Sequence, residues 1–339
     1  VDFPHLFYRY SRYLKNAYGR PAYRVAVDAG FSCPNRGPER RNPGCTYCDE
    51  YGARAVYLER DHLGTVDREI IRRQVEGGIE FLTKRYNAEI FLLYLQAFSS
   101  TYAPVEVLES VFDYCLSLHD FRELIVSTRP DCLTEEKADL LASYRKRDMD
   151  VWVELGLQSA HDTTLRRIRR GHTAADFFEA AELLEERGIK QMTHLVFGLP
   201  GESRREILET VRRVAELRPE GVKIHNLHIP VGAPMFRQYL GGELSVPSAP
   251  RHLAYTVEAL ELLPPDTVIG RLTCDTPRHR RGAPKNFWKK PRFYREVENE
   301  MRRRGTRQGR LWSDTAPEDA ARDDSATEDS AADRDGSMS

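Results

Sequence analysis

Three of the chain's six cysteines fall within sixteen residues, in the stretch CPNRGPERRNPGCTYC from Cys33 to Cys48. Disulfides consume thiols in pairs and a structural zinc takes four protein ligands, so three thiols set among glycine, proline and arginine suit neither. Three suit an iron–sulfur cluster that leaves one iron open for chemistry. The alternative is a zinc site completed by a histidine such as His62. Of the other thiols, Cys115 lies on an amphipathic helical pattern and reads as a buried side chain. Cys132 and Cys274 follow β-rich runs, and packing is the simpler role for both.

The elements that must position the triad alternate along the chain. Six β-rich runs begin at Tyr23, Ile90, Glu123, Asp150, Gln191 and Gly221, the first being YRVAVDA and the last GVKIHNLHI. Amphipathic helical patterns separate them, among them VEVLESVFDYCLSL, TAADFFEAAELLEERG and SRREILETVRRVAEL. Strands alternating with helices predict a parallel sheet wrapped by helices, here an α/β fold with a partial (β/α)6 TIM-like barrel and a C-terminal extension. A further helix, RHLAYTVEALELL, and a further strand, TVIGRLT, follow the sixth run. In such barrels reactive groups sit on the loops after the strands. Cys33 comes four residues after the first run ends, which places the cysteine loop at the barrel mouth. The expected organisation is an N-terminal segment 1–22, a barrel core 23–232, an extension 233–312 and a tail 313–339.

Charge is distributed unevenly. The net charge is −1, yet the stretch from Asp314 onward carries nine acids and two arginines and has almost no bulky apolar residue, so it cannot bury a core and reads as a disordered tail. The remainder holds 49 basic and 43 acidic residues. Between Arg278 and Arg310 thirteen Lys or Arg stand against three Glu, interleaved with Phe287, Trp288, Phe293 and Tyr294. A second basic stretch, TTLRRIRRGHT from Thr163, adds four arginines. Cations with planar side chains suggest a rim for phosphates and unpaired bases, with Lys285, Trp288, Lys289, Lys290 and Arg292 as candidate RNA-binding residues. No run approaches the length of a membrane helix and no secretory signal opens the sequence, so a cytoplasmic, reducing setting away from membranes is expected.

With these residues in place, the chain resembles the radical S-adenosylmethionine (radical SAM) enzymes. Their partial barrel carries a three-cysteine loop that ends in cysteine, any residue, aromatic, cysteine, as CTYC does with Tyr47. The long gap between Cys33 and Cys45 resembles the radical SAM domain of the Elongator catalytic subunit. A nearer resemblance is to a bacterial family of the YhcC/YtqA type, carried by eight motifs in order: CPNR, GCTYC, QAFSSTYAP, STRPDCL, ELGLQS, HLVFGLPGE, KIHNLH and APKNFW. They span about residues 5 to 312. Two positions depart from the pattern expected of that family, Gly37 where an acid is expected and Cys274 where a glycine is.

The resemblance implies a [4Fe–4S] cluster on Cys33, Cys45 and Cys48, and S-adenosylmethionine on its open iron. It further implies one-electron cleavage of the sulfonium to a 5′-deoxyadenosyl radical, with ferredoxin or flavodoxin as the electron donor. Tyr47, Gln96, Ser127, Arg129, Glu154 and Gln158 become candidate cofactor-binding residues, with Gly198 and Gly201 of FGLPGE as a turn that lets backbone amides approach the adenine. For Arg129 and Glu154 a structural ion pair is the alternative. His225 and His228 alternate with Lys223 and could face the interior. The relation to Elongator points to a tRNA wobble uridine as substrate, although little chain follows the barrel for an acetyltransferase domain. Two other readings stand beside it: the same radical chemistry on a peptide or small metabolite, and a non-catalytic zinc-dependent RNA-binding protein.

Overall fold

The structure, a computed structural model, describes residues 5–39, 41–49, 66–147, 149–274 and 280–313. Helix α1 (Tyr10–Tyr18) precedes β1 (Ala22–Val27). Then α2 (Arg68–Tyr86) and β2 (Ile90–Leu95), α3 (Val105–Ser117) and β3 (Phe121–Thr128), and α4 (Glu135–Arg145) and β4 (Asp150–Gln158) alternate. A short α5 (Asp162–Arg167) leads to α6 (Ala174–Glu186), β5 (Lys190–Phe197), α7 (Arg204–Glu216) and β6 (Gly221–Asn226). The extension contributes β7 (Ile229–Pro230), α8 (Met235–Leu240), α9 (Ala249–Leu262), β8 (Val268–Arg271), β9 (Arg281–Ala283) and α10 (Lys290–Arg304). His62 and the acidic tail from Asp314 lie outside the described residues.

Helix starts are written locally. Asp67 accepts hydrogen bonds from the amides of Glu69 and Ile70, and Thr173 and Ser203 each close a capping box at the starts of α6 and α7. The strands form one parallel sheet in the order β1-β2-β3-β4-β5-β6-β8, curled into a half-barrel. The six expected strands are all present, and TVIGRLT supplies a seventh, because α9 returns the chain to pair β8 in parallel with β6. Among the described residues no helix is long and apolar enough to cross a membrane.

Alternation along the strands layers the barrel interior. At the N-terminal end Ala22, Leu92, Ile125, Trp152 and Met192 form an apolar plug, closed from below by Tyr10, Tyr13 and Leu14 of α1. Two residues further along each strand stand Arg24, Tyr94, Ser127, Glu154 and His194, with Lys223 from β6. Above them opens a cavity.

Residues 6–8 and Gln308 meet beside β8. Ile269 donates its amide to the Tyr8 carbonyl at 2.7 Å, Gln308 to the Leu6 carbonyl at 2.9 Å, and the Tyr8 amide donates to Gln308 Oε1 at 2.9 Å. The basic segment packs here too. Phe293 is fully buried, and Phe287, Trp288 and Tyr294 lie against the main core, so the expected row of exposed aromatics is instead the inner face of α10 and its lead-in. The physical reason is period: Phe293, Val297 and Met301 recur on one helix face and are buried, while the cations occupy the other.

Candidate active site

The cavity at the C-terminal ends of the strands has a volume of about 580 Å³, and Cys33, Cys45 and Cys48 all line it. Their loop is held by side chains that sequence reasoning did not single out. The Asn35 amide donates to Cys45 Sγ at 3.2 Å and to the carbonyls of Arg169 and Arg170 at 2.7 and 2.9 Å. Arg36 donates to the carbonyls of Cys48 at 3.2 Å and Asp49 at 2.5 Å. Arg280 of the extension clasps Asp49 through two hydrogen bonds of 2.6 and 2.5 Å, and the Met235 amide donates to the Thr46 carbonyl at 2.7 Å. The cysteine loop is therefore buttressed by the extension as well as by the barrel. Burial raises the Cys33 thiol above its ordinary range, and burial with the neighbouring Cys45 pushes Cys48 up to about 11. Binding a metal cluster must displace those protons.

The second arginine-rich stretch divides: Arg166, Arg167 and Arg169 are exposed, while the fourth arginine turns inward. Arg170 is buried, with Nη1 at 3.8 Å from Cys45 Sγ, Nη2 donating to the Gly156 carbonyl at 2.9 Å and Nε donating to His172 Nε2 at 2.9 Å. The Thr46 amide donates to the Ile168 carbonyl at 3.0 Å, so residues 168–172 wall the cysteine loop. His172 has its pKa lowered to about 4, by burial first and then by the adjacent Arg170, and is neutral at pH 7.

Below the thiols lies the charged layer. Glu154 is 1% exposed yet has five partners. Arg24 Nη1 donates to Oε1 at 2.5 Å, and Lys223 donates to the same oxygen. Tyr94 donates to Oε2 at 2.6 Å, Ser127 at 3.2 Å, and His194 Nε2 lies 3.0 Å away. Burial alone would raise this carboxyl, but Lys223 and Arg24 outweigh it and hold Glu154 well below the usual range. The expected Arg129–Glu154 pair does not form. Arg129 instead grips Asp131 through Nε and Nη2 at 2.8 and 2.6 Å, because the two lie on the turn that leaves β3, whereas Glu154 sits a layer deeper.

Of the expected cofactor residues, Tyr47, Gln96, Ser127, Arg129, Glu154 and Gln158 share the cavity wall with the three thiols. Gln158 takes a left-handed backbone, φ 75°, at the end of β4, a conformation a non-glycine residue adopts only when its surroundings impose it. Gly198 and Gly201 are not brought to the wall. Their left-handed backbones, φ 89° and 87°, face the protein itself: a Cβ at Gly198 would meet Pro247 at 2.2 Å, and one at Gly201 would meet Arg167 at 1.4 Å. Only Val196 of that strand end reaches the cavity. Cys274, expected to pack, also lines it, with Sγ 3.0 Å from His228 Nδ1, whereas Cys115 and Cys132 are buried as expected. Lys285, Lys289, Lys290 and Arg292 are exposed outside the cavity; Trp288 is half-buried beneath Arg292, whose guanidinium lies 4.7 Å over the ring. Tyr294 Oη accepts the Leu272 amide at 3.1 Å, which ties this segment to the end of β8, next to the cavity residue Arg271.

The Radical SAM superfamily profile matches residues 33–214, and that of the Radical_SAM C-terminal domain matches residues 219–303. The chain is 34% identical over 309 residues to YtqA of Bacillus subtilis, covering 91% of this chain and 93% of that protein. It is 34% identical over 304 residues to YhcC of Escherichia coli, covering 88% and 94%. A shorter match, 31% over 124 residues, links 35% of it to 22% of a tRNA uridine(34) acetyltransferase of Methanocaldococcus jannaschii. Among solved structures, Elp3 of Methanocaldococcus infernus with an N-terminal deletion superposes with a TM-score of 0.63 at 20% identity, over 85% of this chain and 64% of that one.

Proposed function

The chain belongs to the radical SAM superfamily, and from that premise we propose that it modifies tRNA, installing or remodelling the carbon-five substituent of a wobble uridine. Enzymes of this family use a [4Fe–4S] cluster and S-adenosylmethionine, and this one is an enzyme of that class; the non-catalytic zinc reading falls away. When bound, the pair supplies reductive cleavage of the sulfonium to a 5′-deoxyadenosyl radical.

The residues present fit that pair. Three thiols line one cavity, and four buried polar atoms of its lining residues, Arg36 Nε, Ser99 Oγ, Arg129 Nη1 and His225 Nε2, have no hydrogen-bond partner among the described residues. In this reading Cys33, Cys45 and Cys48 hold the cluster, and the Asn35 amide and Arg170 guanidinium stabilise charge on the Cys45 sulfur. Tyr47, Gln96, Ser127, Arg129 and Gln158 are placed to take the polar ends of S-adenosylmethionine. Glu154 acts differently, as the anchor that orders Arg24, Lys223, Tyr94 and His194. The apolar plug and α1 close the chamber from below and exclude water. A low-potential donor of the ferredoxin or flavodoxin class supplies electrons from outside.

The observation that carries the RNA substrate is the exposed array Lys285, Lys289, Lys290 and Arg292 beside the end of β8, a phosphate-binding surface next to the chamber. The partial relative named as a tRNA uridine(34) acetyltransferase points the same way. Nucleoside mass spectrometry of tRNA from a strain lacking the gene tests it. A 5-substituted uridine should be lost or truncated and restored by the wild-type gene but not by Cys45→Ala; an unaltered nucleoside profile overturns the proposal.

A further inference from the structure

The charged layer holds more cation than its carboxylate can neutralise. Glu154 is the acid of this layer, and Arg24 and Lys223 already share its Oε1. Arg271, at the end of β8 and opposite Lys223 in the β6–β8 register, lines the same cavity and makes no ion pair among the described residues. With Lys223 matched to Glu154, the guanidinium groups of Arg24 and Arg271 still exceed the carboxylate charge of this layer.

His225, two residues beyond Lys223 on β6, stacks on His194 with ring centroids 5.5 Å apart and also lines the cavity. Its Nε2 is buried without a hydrogen-bond partner among the described residues. Burial and then Arg271 push the His225 imidazole well below its ordinary pKa, so it is neutral and can offer a single N–H. A buried polar atom left unpaired costs about 1–3 kcal/mol. An arginine lacking a carboxylate beside a histidine lacking an acceptor lack the same thing.

We propose that the chamber wall between β6 and β8 is a substrate subsite for an oxyanion, a carboxylate or phosphate group, received by Arg271 and His225. The guanidinium supplies charge and two parallel N–H donors, and His225 Nε2–H a further donor. Arg24 and Lys223, fixed by Glu154, add positive potential from beneath. The subsite rests on the cavity being the reaction chamber and specifies that the group entering it is anionic. It does not depend on the outer array binding RNA.

Calorimetric titration of the full-length protein with sodium acetate and with inorganic phosphate, at ionic strength fixed by chloride, tests this. Saturable binding of one probe is expected. Arg271→Gln and His225→Phe should each weaken it about tenfold or more, while Lys84→Gln, exposed on α2 away from the cavity, leaves it unchanged. Arg271→Lys keeps charge without the planar fork; retained phosphate binding with lost acetate binding separates the two donor roles and guards against a folding defect in Arg271→Gln. Preference for acetate assigns a carboxylate-bearing substrate, and preference for phosphate a phosphorylated one. No binding by the wild-type protein, equal binding by Arg271→Gln and His225→Phe, or full displacement of the probe by S-adenosylmethionine overturns the subsite. Unaltered tRNA nucleosides in the deletion strain would leave it standing.

Discussion

Two arginine-rich stretches, 166–170 and 289–304, look alike in sequence, and both expose most of their cations, yet only the first sends an arginine, Arg170, into the wall of the cysteine loop. In the first, Arg170 is buried against the Cys45 sulfur and the Gly156 carbonyl, and Arg167 donates to the Pro200 carbonyl at 2.9 Å across the strand-five turn. In the second, Lys289, Lys290 and Arg292 face solvent while Phe293, Val297 and Met301 face the core. Local charge density does not distinguish a cation that holds a loop from one that meets a partner. What does is the apolar spacing beneath it: 290–304 has a helical stripe and can keep its cations outside, whereas 168–172 runs irregularly between the cysteine loop and β4, and there Arg170 turns inward to satisfy a carbonyl and a sulfur.

The sharpest separation of the two regions comes from the thiol that Arg170 faces. Cys45→Ala should abolish both cluster incorporation and reductive formation of 5′-deoxyadenosine, whereas Cys115→Ala, in the α3 core, retains both; iron content and chromatography under dithionite read this out. Next in size, Arg170→Met removes a buried guanidinium from the Gly156 carbonyl and leaves the Cys45 sulfur with Asn35 alone, which should cost about 2–4 kcal/mol in chemical denaturation, along with lowered iron retention, while Arg292→Ala stays within about 0.5 kcal/mol. If both arginines behaved alike, the contrast between the stretches would collapse.

Acid sharpens the same contrast. His172 is held neutral in the fold, with its pKa lowered to about 4, while an unfolded chain titrates it near its ordinary value. Its contribution is therefore complete above pH 6.5, the ordinary value, and is lost as pH falls towards 4, where the unfolded chain takes the proton that the native one refuses. The wild-type protein should lose up to about 3 kcal/mol over that window, and His172→Gln should show a flatter profile in denaturant titrations at stepped pH.

The smallest effect belongs to the outer stretch. Reversing Lys289, Lys290 and Arg292 to Glu should leave the melting temperature unchanged and weaken tRNA binding about tenfold. It should also flatten the dependence of affinity on salt by roughly 0.7 to 0.9 of a log unit for each phosphate that the surface ceases to neutralise. Anisotropy titrations across salt concentrations measure it. Wild-type affinity and slope in the triple variant would remove the phosphate-binding role from this surface. The Trp288 ring is half-buried, with Arg292 over it, and packs against the main core.

Much of this was legible in the residues alone. The six strands, their parallel order and the arrival of Cys33 just after the first follow from β-rich runs alternating with amphipathic helices, since helical crossovers force parallel pairing. The triad itself needed only the count and spacing of three cysteines. Other parts were not legible. The partner of Glu154 was sought at Arg129, near it on paper, and found at Arg24 and Lys223, which approach through the curl of the sheet. The glycines of FGLPGE have left-handed backbone, as their type suggests, but Pro247 and Arg167 occupy their Cβ sides and neither glycine lines the cavity. Asn35 and Arg36 stand in the CPNR motif and Arg170 in an arginine-rich stretch, but no local pattern assigned them to holding the cysteine loop.

The sequence by itself determined the half-barrel, the three-thiol loop at its mouth and the segregation of charge between body and tail, because each depends on periodicity, residue type or composition. Only the tertiary structure decided which side chains share a layer. Register and sheet curvature bring Arg24, Tyr94, Ser127, Glu154, His194 and Lys223 from six strands into one buried network, and leave Arg271 and His225 beside it with donors to spare. Side chains separated by up to 199 positions, as Arg24 and Lys223 are, meet on one carboxylate only through three-dimensional closure, which no local pattern encodes.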